Sequence, residues 1–130
     1  MIFSLLVQEG PVGRQSSHSA YRFACELIRR GHTLYRVFFF GDGVHNSTRL
    51  NCAAGGETDL PLAWQQLAAE HGIDLVSCVS SALRRGIVDE PQAARHGRDA
   101  ASLRAGFELS GLGQLVEACL RSDRVVDFGG

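Results

Sequence analysis

The sequence predicts an α/β fold: a single domain, residues 1–130, built as a three-layer sandwich with a five-stranded, mainly parallel sheet between helices on both faces. Three observations predict it. Apolar runs of strand length alternate with segments of helical periodicity along the whole chain, the order that yields parallel strands joined by right-handed crossovers. One of those runs, Val37-Phe38-Phe39-Phe40, has no polar face, as a strand covered on both sides requires. A chain of 130 residues, 45% hydrophobic and 21% charged, suits one domain with a substantial core. No repeat, linker or low-complexity segment divides it.

Ile2 to Val7 is the first strand, and Glu9-Gly10-Pro11-Val12-Gly13 a loop with turn chemistry. Ser16, Ser17 or Ser19 is placed to cap a helix over about 19–30, with Ala20, Phe23, Ala24, Leu27 and Ile28 on its buried face and Cys25 packing beside them. Gly31 stops it, and Thr33 to Phe40 is the second strand. Gly41-Asp42-Gly43 ends that strand and opens the longest irregular stretch, Val44 to Asp59, with a short helical turn near Val44 to Leu50. Thr58 or Asp59 caps a helix over 60–71, with Pro61 in its first turn. Its inward residues are expected to be Leu62, Ala63, Leu67 and Ala68, with Trp64 on the flank. After Gly72 a buried strand runs to Cys78; Ser80 and Ser81 are positioned to cap a short helix from about Ala82. A helical piece at Gln92 to His96, a loop from Gly97 to Gly106 and a short fourth strand, Phe107-Glu108-Leu109, come next. Ser110-Gly111-Leu112-Gly113 opens a helix expected to turn Leu112, Leu115, Val116, Cys119 and Leu120 inward. Asp123 to Phe128 is the last strand, and Gly129-Gly130 a tail. A flavodoxin-like strand order, 2-1-3-4-5, fits this sequence of elements and places the switch point between strands one and three.

Cys78 is the candidate reactive residue. It stands at the carboxyl end of a strand, the edge where ligands gather in open parallel sheets, and next to a helix amino terminus. Such surroundings favour thiolate and bring a thiol from about 8.5 to between roughly 3.5 and 7.5. Arg84 and Arg85 come within two turns of it and would add positive potential; His45, in the long loop, is the histidine to test as a partner. Burial as a small hydrophobe is the competing fate of a cysteine flanked by valines.

Composition excludes several classes. Net charge is −1, so there is no basic field for nucleic acid. No lysine is present, which rules out a Schiff-base lysine. No apolar run reaches the length of a membrane span, and Met1 to Gln8 reads as a strand, not a signal peptide. Cys25, Cys52, Cys78 and Cys119 are far apart, without Cys-x-x-Cys or a histidine at ligand spacing, which argues against zinc and a disulfide framework and for a reducing, cytoplasmic compartment. The glycines after the first strand and at 111–113 match no nucleotide loop. A lone thiol at a sheet edge, without a histidine or resolving cysteine, suits neither a protease nor a thioredoxin-type enzyme. It suits a carrier that holds one sulfur atom as a persulfide.

Several segments together carry a resemblance. They are Ser19-Ala20-Tyr21-Arg22-Phe23-Ala24, Arg36-Val37-Phe38-Phe39-Phe40 with Asp42-Gly43-Val44, the run from Cys78 through Glu90, Leu109-Ser110-Gly111-Leu112-Gly113-Gln114-Leu115 and Asp123-Arg124-Val125-Val126. With these the chain resembles, over nearly its whole length, the DsrE/TusD family of small sulfurtransferase subunits. The resemblance implies a DsrE-like α/β fold and puts the family's active cysteine on Cys78. It also implies assembly with two smaller related subunits into a heterohexamer, a dimer of heterotrimers. The TusD branch takes persulfide sulfur from one carrier protein and passes it to another for 2-thiolation of the wobble uridine of tRNA; the DsrE branch does similar relay work in dissimilatory sulfur oxidation. Glu9-Gly10-Pro11, Asn46-Ser47-Thr48-Arg49-Leu50 and Gly111-Leu112-Gly113-Gln114-Leu115 look closer to the DsrE branch. The resemblance implies no metal or organic cofactor, no direct nucleic-acid contact and no membrane. Two other readings compete: a non-catalytic assembly subunit with a buried cysteine, and a nucleotide- or flavin-binding module.

Overall fold

The alternation of strands and helices becomes, in the computed structural model, one five-stranded sheet in which every neighbouring pair is parallel. The structure describes residues 1–129; the Gly130 end of the expected tail lies outside them. In chain order the elements are β1 (Ile2–Val7), α1 (Ser16–Arg29), β2 (Thr33–Phe39), a 3-10 helix η1 (Gly41–Ser47), α2 (Leu60–His71), β3 (Asp74–Cys78), α3 (Val79–Arg84), α4 (Glu90–Arg95), β4 (Phe107–Ser110), α5 (Gly113–Arg121) and β5 (Arg124–Phe128). Among the described residues no helix is long and apolar enough to cross a membrane.

The strand order is β4-β3-β2-β1-β5, which corrects the flavodoxin-like order. Both orders obey the right-handed crossover rule, so alternation does not choose between them. The choice is made at β1. One edge takes β2 and the other takes β5, from Phe3 opposite Arg124 to Val7 opposite Phe128. Asp123 locks that pairing: its carboxylate accepts from the Ile2 N–H and its own N–H donates to the Ile2 carbonyl, both at 2.7 Å. The connections from β1 to β4 therefore step one way and lay α1, α2 and α3 on one face; the last steps back and lays α5 on the other. The connections part at the carboxyl ends of β3 and β4, where Cys78 stands opposite Ser110. That moves the switch point, with Cys78 still at it.

The first face holds the main core. Leu5, Val7, Val37, Phe39 and Leu75 from the strands meet Ala20, Ala24 and Leu27 of α1 and Leu60, Trp64 and Leu67 of α2. Trp64 is fully buried rather than on a flank, edge-on to Tyr21 at 5.2 Å and Phe39 at 5.6 Å between ring centroids. The helix starts at Leu60 as expected, with the Asp59 carboxylate accepting from the Leu62 N–H at 3.2 Å, and Trp64, one turn beyond Leu60, shares its inward stripe with Leu67 and Ala68. At α1 the serines do not cap. Ser17 instead donates its hydroxyl to the Glu9 carbonyl, closing the loop after β1.

The second face is thin. Phe38, Val76 and Cys78 form a small buried cluster, with Leu6 and Leu115 packed partly against it. In α5 only Ala118 is fully buried; Leu112, Val116, Cys119 and Leu120, expected inward, are exposed. A polar clamp turns the helix. Arg36, 5% exposed, donates to Asp74 at 2.6 Å and to the Gln114 carbonyl at 2.7 Å, and its third nitrogen lies 3.0 Å from the Glu117 carboxylate. The Tyr35 hydroxyl donates to the same carboxylate at 3.0 Å. The register shift between Phe3 and Ser4 against β2 lets both Tyr35 and Arg36 reach this side. With Gln114 and Glu117 held toward the sheet, the apolar stripe of α5 rotates outward.

Candidate functional site

β3 ends at Cys78 and α3 begins at the next residue, so Cys78 is itself the residue that caps the helix. The helix starts three residues earlier than the sequence suggests, and Ser80 and Ser81 occupy its first turn. Cys78, extended at φ −58° and ψ 122°, turns the chain in one step and holds its sulfur over that turn. The Ser80 hydroxyl lies 3.4 Å from Sγ. Burial pushes the thiol up, but the hydroxyls of Ser80 and Ser81 and their backbone N–H groups outweigh it, and the thiol sits below its ordinary value. The whole residue is 3% exposed, with Leu115 on the small cluster that contains it.

A frame of short polar contacts holds this turn. The Ser81 hydroxyl accepts from the Gly41 N–H at 3.1 Å, and Ser77 donates to the Ser47 hydroxyl at 3.0 Å. Both tie β3 and α3 to η1, at the end of β2. Gly43 makes the closest approach: a Cβ there would stand 2.0 Å from the Val7 carbonyl oxygen, so only glycine lets η1 lie on the end of β1. Asn46, fully buried, donates to the Gly43 carbonyl at 2.9 Å and to Ser17 at 3.1 Å. The first part of the long irregular stretch is thus rigid 3-10 helix beside the site, and irregular backbone begins only after Ser47.

The expected helpers divide. Arg85 is committed to the frame, donating to Asp42 at 2.9 Å and to the Ser81 carbonyl at 3.0 Å. The salt bridge holds the Asp42 carboxyl below its usual range. Arg84 is exposed. His45 is exposed on η1 and stands over Gly10; no hydrogen bond among the described residues joins it to Cys78. Cys25 packs against the main core as expected, while Cys52 and Cys119 are exposed, and all four thiols are free. The residues that act on the thiol, Ser80 and Ser81, are those the sequence presents as caps. Starting the helix directly after the cysteine would have revealed their role. A cleft of 410 Å³ between the loop after β1 and residues 51–58 is lined by Arg14, His18 and Cys52 among others, but not by Cys78. Among the described residues no group of three or more His, Cys, Asp or Glu side chains is placed to hold a metal ion.

Chemically, the turn offers one sulfur, biased toward thiolate and placed at a sheet edge, with no base and no second thiol beside it among the described residues. Residues 1–128 match the model of the DsrE/DsrF-like family. The chain is 48% identical over 129 residues to a protein named putative sulfurtransferase DsrE in Allochromatium vinosum, covering 99% of each. It is 52% identical over 129 residues to sulfurtransferase TusD of Serratia proteamaculans, covering 98% of this chain and all of that one (100%). A TusD homolog of Vibrio vulnificus is 49% identical over 126 residues, with 97% and 96% covered. Among solved structures, the ychN protein of E. coli superposes with a TM-score of 0.78 at 19% identity, over 98% of this chain and 99% of that one. MTH1491 of Methanobacterium thermoautotrophicum does so with a TM-score of 0.61 at 13% identity, over 96% and 97%. At such identities the solved structures speak for the fold alone.

Proposed function

The chain belongs to the DsrE/DsrF-like family, and we propose that it is a sulfurtransferase subunit that carries sulfur as a persulfide on Cys78. The observation that carries this reading is the Cys78 turn: a thiol lowered by Ser80 and Ser81 at the carboxyl edge of the sheet. The Cys78 thiolate attacks the outer sulfur of a donor persulfide. The new S–S bond forms as the donor's S–S bond breaks, and the donor leaves as thiolate. An acceptor thiolate then attacks the outer sulfur of Cys78-SSH, and Cys78 returns to thiolate. No net electron is gained or lost, so the step needs no redox cofactor. The backbone N–H groups and hydroxyls that stabilise the thiolate also stabilise it as the leaving group of the second step.

The relay serves 2-thiouridine formation at the wobble position of tRNA, as the several TusD-named relatives at about half identity favour. Its alternative is the sulfur-oxidation relay of the DsrE branch, favoured by the 48% identity to DsrE. In either, two smaller related subunits complete a heterohexamer in the cytoplasm, and donor and acceptor are carrier proteins. The near-complete burial of Cys78 favours a second reading, an assembly subunit whose thiol carries nothing.

Intact mass after incubation with a persulfide donor separates the two. Carriage predicts a gain of one sulfur, about 32 Da, reversed by reductant and absent in Cys78→Ser. No gain, in the chain alone and in the complex with its partner subunits, establishes the assembly reading instead.

A further inference from the structure

Cys78 is 3% exposed, and persulfide transfer needs its sulfur reached from outside. Attack on a donor's outer sulfur brings two sulfur atoms into contact, and the product holds one sulfur more than the thiol. Something that covers Cys78 therefore moves. The cluster around it names the mover. Phe38, Val76 and Leu6 lie on β2, β3 and β1, the three inner strands of the sheet, paired on both sides. Leu115 alone lies on a helix, in the first turn of α5. That turn follows closely on the end of β4, where Ser110 is the register partner of Cys78.

We propose that the segment 111–115 is a gate over Cys78, with Gly111 and Gly113 as its hinges, Leu115 as its cover and Arg36 as its latch. The gate rests on the carrier reading of Cys78, since an inert thiol needs no opening. The closed backbone requires neither glycine: neither has a positive φ, and a Cβ built at either meets nothing within 4 Å. What the two glycines supply is backbone freedom on each side of Leu112, more than any other residue gives. Leu112 caps α5 without a side-chain hydrogen bond. The first turn is therefore held by its own backbone and by the Arg36 donation to the Gln114 carbonyl at 2.7 Å. The closed position also carries a cost. The Gln114 side-chain oxygen is buried without a hydrogen-bond partner among the described residues, and opening returns it to water. Few apolar contacts, an uncapped turn and an orphaned oxygen mark a segment that opens at less cost than the main core. Closed, Leu115 keeps small thiols and oxidants from the sulfur; open, the sulfur meets a carrier.

Alkylation of Cys78 in the native chain tests the gate without a sulfur donor, because its rate scales with the open fraction. Iodoacetamide is the probe, the Cys78 peptide is quantified by mass, and the pH is held above the thiol's midpoint. Gly111→Ala/Gly113→Ala fits the closed backbone and stiffens both hinges. It is expected to slow the reaction about tenfold, at about two- to fivefold per glycine. The pH midpoint should stay where it is, and the melting temperature should not fall. Adding Leu115→Ala to that variant removes the cover and is expected to bring the rate back to at least the native one, which a loss of thiol reactivity would not allow. A native rate in the double-alanine chain overturns the gate, and so does a slowed rate that Leu115→Ala does not lift. The mass gained from a persulfide donor judges the carrier reading separately. Sulfur gained with equal alkylation in every variant keeps the carrier and loses the gate. The expected alkylation pattern without sulfur gain keeps a gated thiol and loses the carrier.

Discussion

The two faces of the sheet are built on different principles. On the first, α1 and α2 bury a large aromatic and aliphatic core around Trp64 and Phe39. Position there is set by volume: many side chains fit one another, and no polar anchor is needed. On the second, one helix of nine residues rests on Arg36 and a few apolar contacts, and Cys78 lies beneath it. Position there is set by a charge clamp, while the apolar stripe is left exposed. Dense packing makes a scaffold. The thin face keeps the Cys78 thiol buried in a small cluster and leaves the apolar stripe of α5 exposed.

Substitutions can break this contrast. The largest loss is expected for Trp64→Ala, about 3–5 kcal/mol in urea unfolding, with the Cys78 thiol unchanged in the residual folded fraction. A small loss would mean that the first face is no better packed than the second. Arg36→Met should cost about 2 kcal/mol, since it leaves the Gln114 carbonyl and the Asp74 carboxylate without this donor and Glu117 with the Tyr35 hydroxyl. Its signature is faster hydrogen exchange in α5 than in α1; equal exchange would remove the clamp from the account. Leu115→Ala should cost only about 1–2 kcal/mol, because the side chain is half-buried, yet it should speed alkylation of Cys78 several-fold by iodoacetamide. An unchanged rate would show that Leu115 does not cover the sulfur. The smallest change in stability, about 1 kcal/mol, is expected for Ser81→Ala, which orphans the Gly41 N–H.

Ser81→Ala also tests the electrostatics. In the native chain alkylation of Cys78 should reach half its maximal rate at a pH below the roughly 8.5 of a free cysteine. Removing a donor to the thiolate should move that midpoint upward. The linkage has the same sign: a thiol lowered by folding adds stability at pH above its unfolded value, and that contribution is lost as pH falls through the folded value. A midpoint that does not move on substitution would leave Ser81 with a structural role only.

Much of the architecture was legible in residue order. Strand runs, helix stripes and turn glycines are local signals, and they mark nearly every element within a few residues. The place of Cys78 at the end of a strand was legible too, because a lone thiol between a strand and a helix is itself a local pattern. The strand order was not, since it depends on which edge of β1 pairs with β5, a contact between residues about 120 apart. Nor was the orientation of α5. Its periodicity shows an apolar stripe and says nothing about whether that stripe meets the sheet or another molecule; Arg36, 78 residues from Gln114, decides it. The partners of the sulfur fall between these cases. Ser80 and Ser81 stand out beside Cys78 in the sequence, but only the one-step turn at Cys78 converts them from helix caps into donors to a thiolate. Periodicity records what each segment would bury, and tertiary contact alone settles against what, because burial is a local demand that many distant partners can meet.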